Sequence, residues 1–113
     1  MACLFCEIAG GRQPSHTVQQ DDRLVAFHDI HPQAPTHVLV IPRKHVGSLV
    51  ELTAEDDGLV GAMLRTARDV ASRLGLGERG FRLVMNCGED AGETVHHIHL
   101  HLLGGRPLSW PPG

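Results

Sequence analysis

The 113-residue chain has no excess of positive charge: 10 Lys and Arg stand against 13 Asp and Glu, a formal net charge of -3. That balance excludes the basic field on which phosphate-reading nucleic-acid binders depend, so no polynucleotide partner is expected. No apolar run approaches the roughly 18 residues of a membrane span, so no membrane partner is expected either. Met1-Ala2-Cys3-Leu4 lacks the charged and apolar regions of a signal peptide, which points to the cytoplasm. Three cysteines, an odd number, exclude a disulfide framework in such a reducing compartment. Neither an internal repeat nor a low-complexity block nor a linker interrupts the sequence, and its length suits one domain over residues 1–113. Tyrosine is missing and tryptophan occurs once, yet there are nine histidines, an imbalance that burial alone does not explain.

Four of those histidines fall in His96-His97-Ile98-His99-Leu100-His101-Leu102-Leu103. Strict alternation predicts a strand over His96–Leu103, with His97, His99 and His101 on one face and Ile98, Leu100 and Leu102 in the core. Imidazole near neutral pH can be nucleophile, proton carrier or metal ligand, so a face carrying three of them is a candidate for chemistry. Same-face strand residues lie about 6.6 Å apart, which lets His99 and His101 meet one phosphate or one metal. Spacing alone does not choose between those ligands. His37, on a neighbouring central strand, extends the array.

Around this strand the pattern predicts a short helix at Cys3–Ala9, stopped by Gly10-Gly11 within an N-terminal segment 1–11. Thr17–Gln20 and Leu24–His28 read as a hairpin about Asp21-Asp22, and Thr36–Ile41 as a central strand ended by Pro42. Thr53, followed by Ala54-Glu55-Asp56, resembles a capped helix start. Leu59, Val60, Met63, Leu64, Ala67, Val70, Ala71 and Leu74 then recur at helical spacing as far as Gly75. Phe81–Asn86 reads as a strand, Cys87–Thr94 as a glycine-containing loop, and the tail 104–113 as irregular. One long helix inserted among strands that arrive in sequence predicts an α+β meander with mainly antiparallel pairing, and so small a sheet invites dimerisation.

Two further constellations carry chemistry. In Asn86–Thr94 the glycines let backbone N–H groups converge on an anion, and Asn86 and Thr94 add neutral donors. Glu89, Asp90 and Glu93 would repel a phosphate unless turned away. Cys3 and Cys6 form a CxxC pair that distant histidines can complete, with His45 and His97 as candidates, and two thiolates with two imidazoles suit zinc. A redox pair is the alternative, although no βαβ context follows it; two unliganded thiols are the third reading.

Taken together, these residues resemble the histidine triad (HIT) family, and within it the Hint branch of purine nucleoside phosphoramidases of the zinc-binding bacterial type. The likeness runs through Ala26-Phe27-His28-Asp29-Ile30, Gln33-Ala34-Pro35-Thr36-His37, Leu39-Val40-Ile41-Pro42-Arg43-Lys44-His45, Asn86, Gly92, Thr94-Val95, His97–Leu103, Gly104-Gly105-Arg106 and Trp110-Pro111-Pro112-Gly113. The closing Trp-Pro-Pro-Gly favours the Hint branch over the dinucleoside polyphosphate hydrolases of the same superfamily.

The resemblance implies a HIT-like α+β fold whose sheet is continuous across a homodimer, with one nucleotide site per subunit. It further implies hydrolysis of the P–N bond of purine nucleoside 5′-phosphoramidates, such as adenosine 5′-monophosphoramidate, releasing the nucleoside monophosphate and an amine. His99 would be the nucleophile and become transiently nucleotidylated. His101 and His37 would donate hydrogen bonds to the phosphate oxygens. Asn86, Gly92, Glu93 and Thr94 occupy phosphate-side positions, and Asp29 the ribose position. Phe27, His28 and Ile30 flank the base, with Phe5 and Ile8 as further walls. Cys3, Cys6, His45 and His97 would hold one structural zinc per chain, and Trp110 in the tail would lie near the partner subunit. Rival readings keep the same histidines for dinucleoside polyphosphate hydrolysis, for a nucleotide-binding scaffold with low turnover, or for metal handling. Two departures stand out: Glu93 replaces a common glutamine, and His96 replaces an often aromatic residue and should face away from the triad.

Overall fold

Turn chemistry and strand burial build a five-stranded sheet. In the computed structural model, which describes residues 3–113, the Asp21 carboxylate accepts the N–H groups of Arg23 and Leu24 at 2.8 Å each. This fixes the turn between β1 (Thr17–Gln20) and β2 (Leu24–His28), which pair antiparallel. Met1 and Ala2, which open the expected 1–11 segment, lie outside the described residues. β3 (Thr36–Pro42) pairs with β2 through Val25↔Ile41 and Phe27↔Leu39, and its run of buried residues matches its central place. β5 (Leu100–Gly104) lies on the other side of β3, with Leu39 opposite His101, and β4 (Phe81–Val84) pairs with the outer side of β5.

The order is therefore β1-β2-β3-β5-β4, with every neighbouring pair antiparallel. This corrects the expected meander. β3 and β4 are each antiparallel to β5 and so run in the same direction, which requires a crossover rather than a hairpin. The crossover is α2 (Asp57–Arg73), 17 residues and about 25 Å long, which crosses the sheet face and sets β4 down one place beyond β3. β5 then returns into the gap.

A short 3-10 turn, Ala54–Asp56, precedes α2. The buried Asp56 carboxylate accepts the Thr53 N–H at 3.0 Å and pairs with Lys44 Nζ at 2.7 Å, so acid and lysine together satisfy the helix entrance. Leu59, Ala62, Met63, Ala67, Val70 and Ala71 form the buried face, at the three- and four-residue spacing read from the sequence. They pack with Leu24, Ala26, Val38, Val40, Ile98, Leu100 and Leu102. On the opposite side of the sheet α1 (Leu4–Ala9) sets Phe5 and Ala9 against Val25, Phe27, Leu39 and Ile41. Alternate residues of β3 thus serve two cores. No helix among the described residues is long and apolar enough to cross a membrane.

The histidine strand is shorter than its alternation predicts. The β3–β5 ladder ends at Val40↔Leu100, so the next positions would oppose His99 to Ile41 and Ile98 to Pro42. Pro42 has no N–H to donate, and the chain leaves the ladder there. Ile98 N–H turns instead to the Val46 carbonyl at 2.8 Å. Side-chain alternation survives even so, since Ile98, Leu100 and Leu102 all enter the α2-side core. β4 likewise stops at Val84 rather than Asn86.

Candidate functional site

Leaving the ladder frees backbone groups, and these orient the imidazoles. The His99 ring Nδ1 lies 2.8 Å from the His97 carbonyl oxygen. A carbonyl only accepts, so Nδ1 carries the hydrogen and Nε2 keeps its lone pair. His99 is 6% exposed and lines the cleft described below.

The same logic fixes His37 and His101. Gln33 N–H donates to His37 Nδ1 at 3.0 Å, which puts the hydrogen of a neutral His37 on Nε2. That Nε2 lies 2.9 Å from His101 Nδ1 and 3.5 Å from an Asp29 carboxylate oxygen. With Nδ1 accepting, His101 carries its own hydrogen on Nε2, a buried atom without a partner among the described residues. A buried donor left unsatisfied is costly, and here it belongs to a residue that faces a cleft. Burial first, then the positive forms of His99 and His37, push His101 down to about 4, while Asp29 opposes the shift. His37 is lowered as well, by burial against the same Asp29 charge. Burial thus favours the neutral form of both rings. Asp29, His37 and His101 bring three ligand atoms together, but a metal on His37 Nε2 would require Nδ1–H where Gln33 already donates. The chain of hydrogen bonds fits these three better than a metal does.

His97 lies on the same side of the chain as His99, its ring 6.0 Å from that of Phe5, but its nitrogens turn to other partners. It is fully buried, and its Nε2 donates to the Pro42 carbonyl at 2.8 Å, leaving the Nδ1 lone pair toward Cys3 Sγ (3.4 Å), Cys6 Sγ (3.5 Å) and His45 Nδ1 (3.1 Å). Cys6 Sγ lies 3.2 Å from His45 Nδ1. Ligands at zinc–sulfur and zinc–nitrogen bond lengths around a tetrahedral ion stand about 3.3–3.6 Å apart along the N–N and N–S edges, close to this spacing. Burial, followed by the neighbouring Cys3, pushes the Cys6 thiol up, and a bound cation would favour its thiolate. The four donors fit a metal.

Between α1 and the sheet lies a cleft of about 310 Å³. Phe5, Ile8, Phe27 and Leu39 give it apolar walls; Asp29, Thr94, His99 and His101 bring polar groups to it. Phe5 meets His99 edge to face at 5.0 Å between centroids and Phe27 at 5.8 Å. Apolar walls with a few convergent polar groups are the usual form of a small-molecule site. His28 and Ile30 also line the cleft, whereas Asn86, Gly92 and Glu93 are not among its lining residues and His37 stands behind His101.

Glu93 is turned away. Its carboxylate accepts the Gly88 N–H at 3.0 Å and meets His96 Nδ1 at 2.8 Å, and these two bonds, Gly88 first, hold it below the usual carboxylate range. His96 is exposed, and its bond to Glu93 raises it most. Trp110 is 80% exposed, with the Arg82 guanidinium 5.9 Å from its ring. Leu4, Gln13, Pro14, Ser15, His31, Leu39 and Val95 also line the cleft and were not assigned to it from the sequence. Gln33 acts through its backbone N–H, which no side-chain pattern reveals.

The HIT domain family model matches residues 11–108. An uncharacterized HIT-like protein of Synechocystis sp. is 50% identical over 110 residues, covering 97% of this chain and 96% of that one. The purine nucleoside phosphoramidase of Escherichia coli K12 is 45% identical over 105 residues, covering 93% and 88%. A HIT family hydrolase from Legionella pneumophila Philadelphia 1 superposes with a TM-score of 0.98 at 48% identity, covering 99% of this chain and all of that one. The chain belongs to the HIT domain family.

Proposed function

We propose that this protein hydrolyses the P–N bond of purine nucleoside 5′-phosphoramidates through a nucleotidyl-histidine intermediate. The observation that carries this reading is the pairing, in one cleft, of a His99 ring with its lone pair on Nε2 and a buried His101 Nε2–H without a partner among the described residues. His99 Nε2 attacks the α-phosphorus and forms an N–P bond as the bond to the leaving nitrogen breaks, and that nitrogen departs with one proton taken from solvent, which the attacking water of the second step returns. Water then attacks the same phosphorus, the His99–P bond breaks, the water gives up a proton, and the nucleoside monophosphate leaves. His101 Nε2–H is suited to a phosphate oxygen as charge builds there. His37 is a positioning residue that sets the His101 tautomer, and the His97 carbonyl holds His99 Nδ1–H while the ring is positively charged. Asp29 would accept from the ribose hydroxyls, and Phe5, Ile8, Phe27, His28 and Ile30 would flank the base.

The Cys3, Cys6, His45 and His97 set would hold one zinc per chain, which confines His97 to structure and leaves the reaction to its neighbours. We further propose a homodimer through the outer edge of β4, which has no neighbour in the sheet order, with the tail 104–113 and Trp110 at the partner. The activity is tested by comparing hydrolysis of adenosine 5′-monophosphoramidate with that of a diadenosine polyphosphate. Faster cleavage of the phosphoramidate supports the proposal; faster cleavage of the dinucleotide overturns it.

A further inference from the structure

We infer that Glu93 and His96 are positioning residues that latch the phosphate side of the nucleotide cleft, an inference that rests on the nucleotide reading above. The bond from His96 Nδ1 to the Glu93 carboxylate, 2.8 Å long, spans two intervening residues, Thr94 and Val95. Both of these line the cleft, together with His99 and His101. A side-chain bridge between residues three apart therefore staples the tetrapeptide that presents Thr94.

The latch is anchored at each end. On one side the second Glu93 carboxylate oxygen accepts Gly88 N–H at 3.0 Å, while Glu93 N–H donates to the Gly88 carbonyl at 3.1 Å. Residue 93 is thus tied twice to residue 88 across a turn in which Gly88 and Gly92 have φ of 90° and 87°, values that side chains strain to adopt. On the other side His96 Nε2 lies 3.4 Å from a Glu51 carboxylate oxygen, beside Gly47. A Cβ at position 47 would come within 2.5 Å of that Glu51 oxygen and 2.6 Å of His96 Nε2, so glycine leaves the room in which the pair sits.

The two contacts of His96 differ in strength. The Glu93 side chain is only 13% exposed although its partner His96 is 68% exposed, whereas Glu51 is half exposed and both ends of that contact face water. Glu93 accordingly serves the loop rather than the ligand: both of its oxygens are engaged away from the cleft. Holding the loop in one conformation before the ligand arrives removes an ordering cost from binding, and that gain applies to ligands that use the phosphate side.

The test is calorimetric binding of AMP and of adenosine to the full-length parent, Glu93→Ala, His96→Ala, the double variant and Glu93→Gln. Removing a bond with one exposed partner should weaken AMP binding about two- to fivefold in each alanine variant, with no further loss in the double variant and adenosine binding unchanged. Glu93→Gln keeps an acceptor for Gly88 N–H and should recover most of the AMP affinity. Unchanged AMP binding in Glu93→Ala, additive losses, or equal losses for adenosine would each overturn the latch. Glu93→Gln binding AMP more tightly than the parent would also overturn it, because the carboxylate would then be acting on the phosphate directly. A parent protein that does not bind AMP overturns the nucleotide reading and the latch with it.

Discussion

The histidines of the triad differ in what they can do because different backbone groups hold their rings. His99 and His97 donate to the carbonyls of His97 and Pro42, while His37 accepts from Gln33 N–H and passes that polarity on to His101. Alternation in the sequence was enough to put the three rings on one side of the chain. It could not assign their tautomers, since those depend on backbone partners as distant as Pro42. One consequence can be measured through pH. Burial holds His101 at about 4 in the folded state against an ordinary value of 6.5, so the unfolded chain binds more protons between those two values. The stability this ring contributes is present above pH 6.5 and is lost as pH falls through about 4. Urea midpoints taken from pH 7 to pH 4 should decline, and His101→Gln should show the smaller decline. An equal decline in that variant would contradict the assignment.

At the scale of elements, α1 and α2 are stabilised by different means. A six-residue helix is too short to persist alone, and α1 relies on Phe5 in the sheet-side core and on the cysteines beside His45 and His97. Cys6→Ser should lower bound zinc from about one per chain to well below that and reduce the unfolding midpoint, as metal analysis and urea titration would show. Retention of a full complement of zinc would contradict the ligand set. In α2 the fully buried Met63 packs between helix and sheet, and Met63→Ala should cost about 2–5 kcal/mol in equilibrium unfolding. A cost below 1 kcal/mol would show that the helix does not pack there. Both helices were legible because capping residues, glycines and apolar spacing are local signals. The true start of β5 was not, since it depends on where a distant strand reaches a proline.

For the whole molecule, the crossover through α2 is what places His37 of β3 beside His101 of β5 while leaving β4 at an open edge. Strand content could be read from the sequence, but insertion of β5 between β3 and β4 is a long-range pairing that no local pattern carries. The open β4 edge should support a species of twice the 12.3 kDa chain mass by light scattering, and Phe81→Lys at the start of that strand should shift it toward monomer. A monomeric parent would contradict the proposed dimer. The central claim, that His99 is the nucleophile, is tested most directly by intact-protein mass spectrometry after alkaline quenching of a single turnover with adenosine 5′-monophosphoramidate. The account predicts one adenylyl group per chain, mapped to His99 and missing in His99→Ala, which should lose hydrolysis while still binding AMP. Undiminished hydrolysis in His99→Ala, or an adduct on another residue, would contradict it.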